Sequence, residues 1–367
     1  MTGAAIEYLF LTSDHLVSLD GQVTALSAST RLGCVAPTRA LMRLGYDART
    51  YSIAPGTAAA EAVLPAAKRV VFGEMFGTEQ GWAPTIEGYR RLLALMPDAS
   101  ERAIFSIADD HFADAAFRDF YDQALRDCLA VTAVSERLAQ TVRRLTRRPV
   151  LVAPEPCEGA RGAPQAYATR RAPGIVSWLA RRIGLPQDLW RLRLLWFGYP
   201  MNLGPLIELL PALEKLARKH PLLLTCVTSA APEMAELMTP ERSGEASALR
   251  TRFVPWTPQI MDSALAASDL VLIPSEHRNP VKQAKSPNRL VAGLHAGRMV
   301  IAHPLPAYAP YSEFAWIGEN LCDGIRWAIE HPREVVARIA RGQAYIDERH
   351  SLEAVARFWL DVFHPQN

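Results

Sequence analysis

The sequence lacks any hydrophobic run long enough to cross a bilayer. Residues 1–10 also lack the basic segment followed by an apolar stretch that marks a secretory leader. Cysteine is scarce, with 5 in 367 residues, and no two of them have the spacing of a metal site or a redox motif. We therefore expect a cytoplasmic protein with reduced, mostly buried thiols.

An excess of charge is also missing. The 40 basic and 38 acidic residues leave a formal net charge of +2, so the composition predicts no nucleic-acid partner. Residues 143–193 are nevertheless rich in arginine and poor in acids. They predict either a solvated surface or a basic face toward anionic lipid or an anionic acceptor, which leaves open a peripheral contact with the inner face of a membrane. The arginines are Arg143, Arg144, Arg147, Arg148, Arg170, Arg171, Arg181 and Arg182.

The length of 367 residues predicts two domains, at roughly 150 residues per domain. In both halves, strand-like apolar segments alternate with segments of helical spacing, which predicts α/β domains with parallel sheets. Residues 154–173, rich in Pro, Gly and Ala, indicate a linker, and we place the domains at 1–165 and 166–347. Two such sheets form a cleft, and ligands of open parallel sheets bind beyond the carboxyl ends of the strands.

Capping residues mark several helix boundaries. Ser135 and Thr257 each precede a predicted helix as N-caps. A third helix is predicted over residues 117–129, and the last one over Leu352–Phe363, where apolar residues form one stripe.

The most informative segment is residues 269–297, where a strand, a charged loop and a helix follow one another. Ser286 is predicted as the N-cap, Pro287 as the first helical residue, and Arg289 lies in the first turn. A helix N-terminus has free N–H groups and a partial charge of roughly +0.5, so with added cations it suits a diphosphate. The alternative is an exposed loop before a well-capped helix. The predicted donor-binding residues here are Glu276, Lys282, Lys285, Ser286, Asn288 and Arg289.

In the first half, Asp109, Asp110 and His111 follow a predicted strand and are expected at the ligand-binding edge of the sheet. A histidine there can bond a donor sugar or an acceptor hydroxyl, and an aspartate can orient the acceptor or act as a base. The alternative for the acidic pair is helix capping. We select Asp110 and His111 as catalytic candidates without ranking them.

The run at residues 269–297 resembles the C-terminal domain of family 4-type retaining glycosyltransferases of the GT-B architecture, and four further segments, in order along the chain, resemble the same enzymes. These segments are IFSIADDHF, VTAVSERLAQTV, LLWFGYPMNLGPLIELLPALEKLA and PWTPQIMDSALAASDLVLIPS. The resemblance implies two Rossmann-like parallel-sheet domains facing a central cleft, with the acceptor side first and the nucleotide-sugar side second. It also implies that the terminal helix, within 348–367, packs back on the first domain. By the same resemblance, the loop with Arg31 and Gly33 approaches the donor phosphates or the acceptor.

The sequence departs from this family at two places. Glu276 is a displaced first member of the family's glutamate pair, and the second position falls at Ala292, which cannot accept a hydrogen bond from ribose. The run GYPMN at residues 198–202 replaces the usual Arg and Lys after the first strand, and we take Gly198 and Asn202 from it as donor-binding residues. We infer that nearby cations supply the missing charge, namely Lys282, Lys285 and Arg289.

The resemblance implies a hexosyltransferase that moves a sugar from a nucleotide-sugar to a hydroxyl acceptor with retention, in glycan or glycoconjugate assembly. The acceptor class stays open between a glycan, a lipid-linked molecule and a protein. We expect no cofactor and no obligatory metal, because no ligand cluster is visible in the sequence. Because fold does not fix function, a non-catalytic GT-B-like module that binds a sugar, a nucleotide or a partner remains the alternative, and an epimerase or phosphorylase a third option.

Overall fold

The computed structural model describes residues 6–365 except 20, 55, 79, 168–189 and 244–246. Within it the chain divides into two compact units. The first unit comprises Met1–Cys157, Gln283–Ser286 and Asp347–Asn367, and the second comprises Glu158–Lys282 and Pro287–Ile346. The first unit thus includes a short segment from the charged loop and the end of the chain.

The first unit contains a six-stranded parallel sheet. The described strands of this unit are β1 Tyr8–Thr12, β2 Leu16–Leu19, β3 Gln22–Ala25, β4 Ala48–Ser52, β5 Arg69–Phe72, β6 Ala103–Ile107, β7 Ala130–Ala133 and β8 Val150–Val152. Of these, β2 and β3 form a separate hairpin. The sheet order is β4-β1-β5-β6-β7-β8, with every pairing parallel. The antiparallel pair β2-β3 stands apart from it and was not predicted.

Alternation along β1 builds two cores, one on each face of this sheet. Leu9 and Leu11 belong to one core, whereas Tyr8 and Phe10 belong to the other, as the two-residue period of a strand requires. Trp359 of the last helix meets Phe10 edge to face, with ring centroids 5.0 Å apart. The described helices of this unit are Ala28–Thr30, Ala36–Arg43, Ala58–Val63, Ala83–Ala94, Ala99–Arg102, Ala115–Asp127, Glu136–Arg143 and Leu352–Phe363, with a π-helical turn at Arg31–Val35 and a 3-10 turn at Leu64–Ala66.

The second unit repeats this plan. Its described strands are β9 Leu192–Phe197, β10 Leu222–Thr228, β11 Leu249–Pro255, β12 Leu270–Ile273, β13 Met299–Ala302 and β14 Trp316–Ile317. They pair in parallel in the order β11-β10-β9-β12-β13-β14. Two parallel six-stranded sheets confirm the predicted α/β class.

Helices connect the strands of the second unit. The cap predicted at Thr257 is confirmed, since its side chain accepts from the Ile260 N–H, and in the first unit Ser135 caps Glu136–Arg143 in the same way. The described helices are Gly204–Ala217, Met234–Leu237, Pro240–Ser243, Pro258–Ala267, Pro280–Gln283, Asn288–His295, Leu321–Glu330 and Pro332–His350, with 3-10 turns at Pro200–Asn202 and Pro306–Tyr311. The last helix continues into the first unit from Asp347 on.

Gly73, directly after β5, is required by close packing. A Cβ at this position would lie 2.5 Å from Cys34 Sγ and 2.7 Å from the Leu11 carbonyl oxygen. We expect Gly73→Ala to lower the free energy of unfolding by about 1–3 kcal/mol, because the backbone of β1 would have to move. Denaturant unfolding of the full chain measures this.

Gly204→Ala is the matched control. A Cβ at Gly204, the first residue of a helix, would meet no atom within 4 Å, and alanine favours the helix. Equal stability of the two variants would contradict the packing role of Gly73.

Candidate functional site

Three central strands of the second unit end at the same level. The register pairs Ile273 of β12 with Ala302 of β13. Val271 pairs with Leu195, and the same register sets Ile273 level with Phe197 at the end of β9. The connections leave in opposite directions from β9 and β12, which makes this the switch point where open parallel sheets bind ligands.

Arg289 and Gly198 meet at this switch point. Arg289 Nη1 donates to the Phe197 carbonyl oxygen at 3.5 Å, and a Cβ on Gly198 would lie 3.5 Å from the same nitrogen. Arg289 also hydrogen-bonds the buried phenol of Tyr308; burial raises the pKa of Tyr308 and Arg289 opposes that rise. Among the described residues no carboxylate pairs with Arg289, so its positive charge is held in place without being neutralised.

A second predicted pair also comes together in this unit. Lys282 Nζ donates to Asn202 Oδ1 at 2.7 Å, which joins the end of Pro280–Gln283 to the turn after β9. Glu276 is exposed and its Oε2 accepts from Asn279 Nδ2 at 2.9 Å, within its own loop. The structure therefore groups Gly198 with Arg289 and Asn202 with Lys282.

The start of the helix differs from the prediction. The helix is Asn288–His295, with Pro287 as its N-cap, so the prediction of Ser286 as the cap was wrong. Pro287 has φ −83° and ψ 11°, which lies outside the helical region, and no side chain caps the first turn. Asn288 and Arg289 thus open a helix whose first N–H groups have no side-chain acceptor among the described residues.

Lys285 and Ser286 belong to the first unit, in the segment Gln283–Ser286. Lys285 Nζ forms an ion pair with Asp109, two residues beyond β6. The Ala284 carbonyl oxygen accepts from Ser135 Oγ at 2.6 Å, which anchors the segment next to this pair. The positive charge of Lys285 therefore has an acidic partner that the sequence analysis did not foresee.

Asp110 and His111 lie in the loop that follows. Asp110 Oδ1 accepts from the Phe112 N–H at 3.3 Å. The next helix, Ala115–Asp127, begins two residues before the predicted start at residue 117. Its N-cap is Asp114, so neither Asp109 nor Asp110 caps it. His111 stacks on Phe117 with centroids 4.4 Å apart, and burial lowers the pKa of its imidazole, which favours the neutral form.

Glu74 is a site residue that the sequence analysis missed. It follows Gly73 at the end of β5, next to β1, where the order of this sheet reverses. Its carbonyl oxygen accepts from the Ser13 N–H and from the hydroxyls of Thr12 and Tyr89. Burial raises the pKa of the Glu74 carboxyl well above its usual range; Asp109 raises it further and Lys285 opposes the rise. No local motif marks this residue, and only its place after a strand could have indicated it.

Arg31 and Gly33 lie in the π-helical turn Arg31–Val35. Arg31 is 9% exposed, and its Nη1 donates to the carbonyl oxygens of Ala25 and Leu26 at 3.3 and 2.8 Å. The guanidinium thus hydrogen-bonds the backbone at the end of the β2-β3 hairpin. A Cβ on Gly33 would meet nothing within 4 Å, so space is left beside this turn. Their predicted contacts with phosphate or acceptor stay predictions.

Other expectations from the sequence concern charge, thiols and metals. Arg170, Arg171, Arg181 and Arg182 lie outside the described residues. None of the five cysteines forms a disulfide among the described residues, and burial raises the pKa of Cys34, Cys128 and Cys226 to about 12. No helix in the described part of the chain is long and apolar enough to span a membrane. Within the same residues no three His, Cys, Asp or Glu side chains form a metal site, and independence from metal stays a prediction.

Comparison with known proteins identifies the fold. No protein-family model and no curated protein sequence matches this chain. Among solved structures, HepE of Anabaena in complex with UDP and glucose superposes with a TM-score of 0.63 at 13% identity, over 98% of this chain and 100% of that one. WaaG, a glycosyltransferase involved in lipopolysaccharide biosynthesis, gives 0.61 at 13% identity over 98% and 100%. A glycosyltransferase from Rickettsia africae ESF-5 gives 0.62 at 14% identity over 97% and 98%.

The chain has the GT-B fold. At this level of identity the likeness concerns the fold, and the expected architecture is confirmed over nearly the whole chain.

Glu74 generates a prediction about stability and pH. Its folded pKa lies above the unfolded value of 4.5, so the folded state holds the proton more tightly and stability is lost as pH rises from about 4.5 through the folded pKa. We expect Glu74→Gln to raise the melting temperature at pH 8, by about 2–4 °C per kcal/mol gained. The gain should shrink toward zero as the pH falls below 4.5, where Glu74 becomes protonated in the unfolded as well as the folded state.

Glu87→Gln is the control, since Glu87 is exposed and its ion pair with Arg90 lies at the surface. Melting curves of both variants from pH 4 to pH 8 make the comparison. A loss of stability in Glu74→Gln at pH 8 would mean that the carboxylate is stabilised by contacts that outweigh its burial.

Proposed function

We propose that this protein is a glycosyltransferase that moves a hexose from a nucleotide-sugar donor to a hydroxyl acceptor. Support comes from the shared fold, since HepE was solved with UDP and with UDP-glucose, and WaaG is a glycosyltransferase. UDP and UDP-glucose are accordingly the first ligands to test.

The observation that carries the proposal is the position of Arg289. Its guanidinium lies over the end of β9, beside Gly198, at the switch point of the sheet. Arg289 itself belongs to the first turn of a helix that no side chain caps among the described residues. A full positive charge, a helix dipole and an open glycine suit a diphosphate. Arg289 thus stands near the place where the resembling family has an Arg or Lys after the first strand. Lys282 and Asn202 supply a further cation and an amide.

Sugar transfer breaks the bond between the anomeric carbon and the diphosphate oxygen and forms a bond to the acceptor oxygen, whose proton must leave. Positive charge held in advance around the diphosphate stabilises the leaving group. In the first unit a neutral His111 or the Asp110 carboxylate takes the acceptor proton. We propose residues 1–165 as the acceptor side and 166–347 as the donor side, with retention at the anomeric carbon.

Replacement of Arg289 tests the diphosphate site. We expect Arg289→Ala to weaken UDP binding at least tenfold, or about 1.4 kcal/mol, because a charge at the phosphates is lost. Isothermal titration calorimetry of the full chain with UDP, GDP, CMP and dTDP, without added metal, gives both the affinity and the preferred base.

Arg333→Ala is the matched control, because Arg333 is an exposed arginine of the same unit. Equal affinity of the two variants would remove Arg289 from the site. Failure of the wild-type chain to bind any of the four nucleotides would favour a non-catalytic binding module instead.

A further inference from the structure

The carboxyl end of β12 is followed by a buried hydroxyl for which the described residues offer no hydrogen-bond partner. Ser275 is 9% exposed and lies two residues beyond Ile273. In the described part of the chain, Ser275 Oγ has no hydrogen-bond partner. Buried hydroxyls are normally bonded, and an exception at the ligand-binding edge of a sheet indicates a group that a ligand completes.

His303 is fixed against the same residue. It follows Ala302 at the end of β13, and its Nδ1 lies 3.1 Å from the Ser275 nitrogen and 2.9 Å from the Ser275 carbonyl oxygen. That oxygen already accepts the His277 N–H at 2.8 Å, so Nδ1 serves best as the acceptor for the buried Ser275 N–H. In that tautomer Nε2 carries the proton, and it is a donor without a partner among the described residues.

The carboxylate of Glu319 lies next to these residues through its contact with His277. His277 stands edge to face with His303, with centroids 5.0 Å apart, and its Nε2 lies 2.8 Å from Glu319 Oε2. The cluster of Ser275, His277, His303 and Glu319 thus presents a hydroxyl, an N–H donor and a carboxylate. A carboxylate repels phosphate but accepts from a hydroxyl, so the chemistry favours a neutral polyol.

The distance from Arg289 fits a nucleotide-sugar. Arg289 lies over the end of β9, whereas His303 follows the end of β13, two strands away. Two inter-strand spacings amount to about 10 Å along the edge of the sheet. One extended ligand can therefore place its diphosphate on Arg289 and its hydroxyls on the cluster.

We propose that Ser275 and His303, with the His277–Glu319 pair beside them, form the hydroxyl-recognition subsite of the donor site. The proposal rests on the proposed function. The hydroxyls belong to the transferred hexose or to the ribose, and the experiment distinguishes these two sources.

Two substitutions test the subsite by calorimetry with UDP and UDP-glucose on the full chain. His303→Asn keeps an oxygen where Nδ1 accepts the Ser275 N–H but removes Nε2, and Ser275→Ala removes only the hydroxyl. We expect His303→Asn to weaken UDP-glucose binding about tenfold and Ser275→Ala to weaken it severalfold, with unchanged thermal unfolding. Unchanged UDP affinity assigns the subsite to the hexose, and an equal loss for UDP assigns it to the ribose.

His331→Asn is the control, since His331 is an exposed histidine of the same unit. The subsite would be overturned if His303→Asn and Ser275→Ala both kept the wild-type affinity for UDP and UDP-glucose while Arg289→Ala bound these ligands more weakly. The proposed function would still stand. Failure of the wild-type chain to bind any nucleotide of the panel would overturn both.

Discussion

The candidate donor site depends on the parallel register of the second sheet. Because β9, β12 and β13 run in one direction and end level at Phe197, Ile273 and Ala302, the residues that follow them emerge at one edge. Gly198, Ser275 and His303 reach this edge from segments far apart in sequence. A shift of one residue in any of these pairings would turn its side chains to the other face.

The cations of the charged loop are close in sequence but differ in their surroundings. Lys285 pairs with Asp109 and Lys282 bonds the Asn202 amide, whereas Arg289 is held by a carbonyl oxygen and a neutral phenol. A cation paired with a carboxylate has little net charge left for a ligand, whereas one held by neutral acceptors keeps it. Arg289 is therefore better placed than Lys285 for a diphosphate, and Lys285 instead pairs with Asp109 and opposes the rise in the pKa of Glu74.

The sequence predicted helix boundaries correctly where an N-cap residue precedes a stripe of apolar residues at helical spacing. The last helix is Leu352–Phe363 as predicted, because Ser351 caps it and its apolar stripe meets the sheet. The start of Asn288–His295 was placed one residue early, because proline fixes φ but not ψ and Pro287 adopts a non-helical ψ. The β2-β3 hairpin was missed, and it is held partly by Arg31, which lies outside it in sequence.

The sequence by itself determined the alternation of strands and helices, the two parallel sheets and the strand ends where a ligand would bind, because hydrophobic period and capping are local properties. Only the tertiary structure decided that Asp109 pairs with Lys285, that the half-buried Glu74 feels the charges of both, and that His303 Nδ1 lies within hydrogen-bond distance of the Ser275 nitrogen. Such contacts join residues far apart in the chain, and their charges and hydrogen bonds depend on register and burial that no local pattern records.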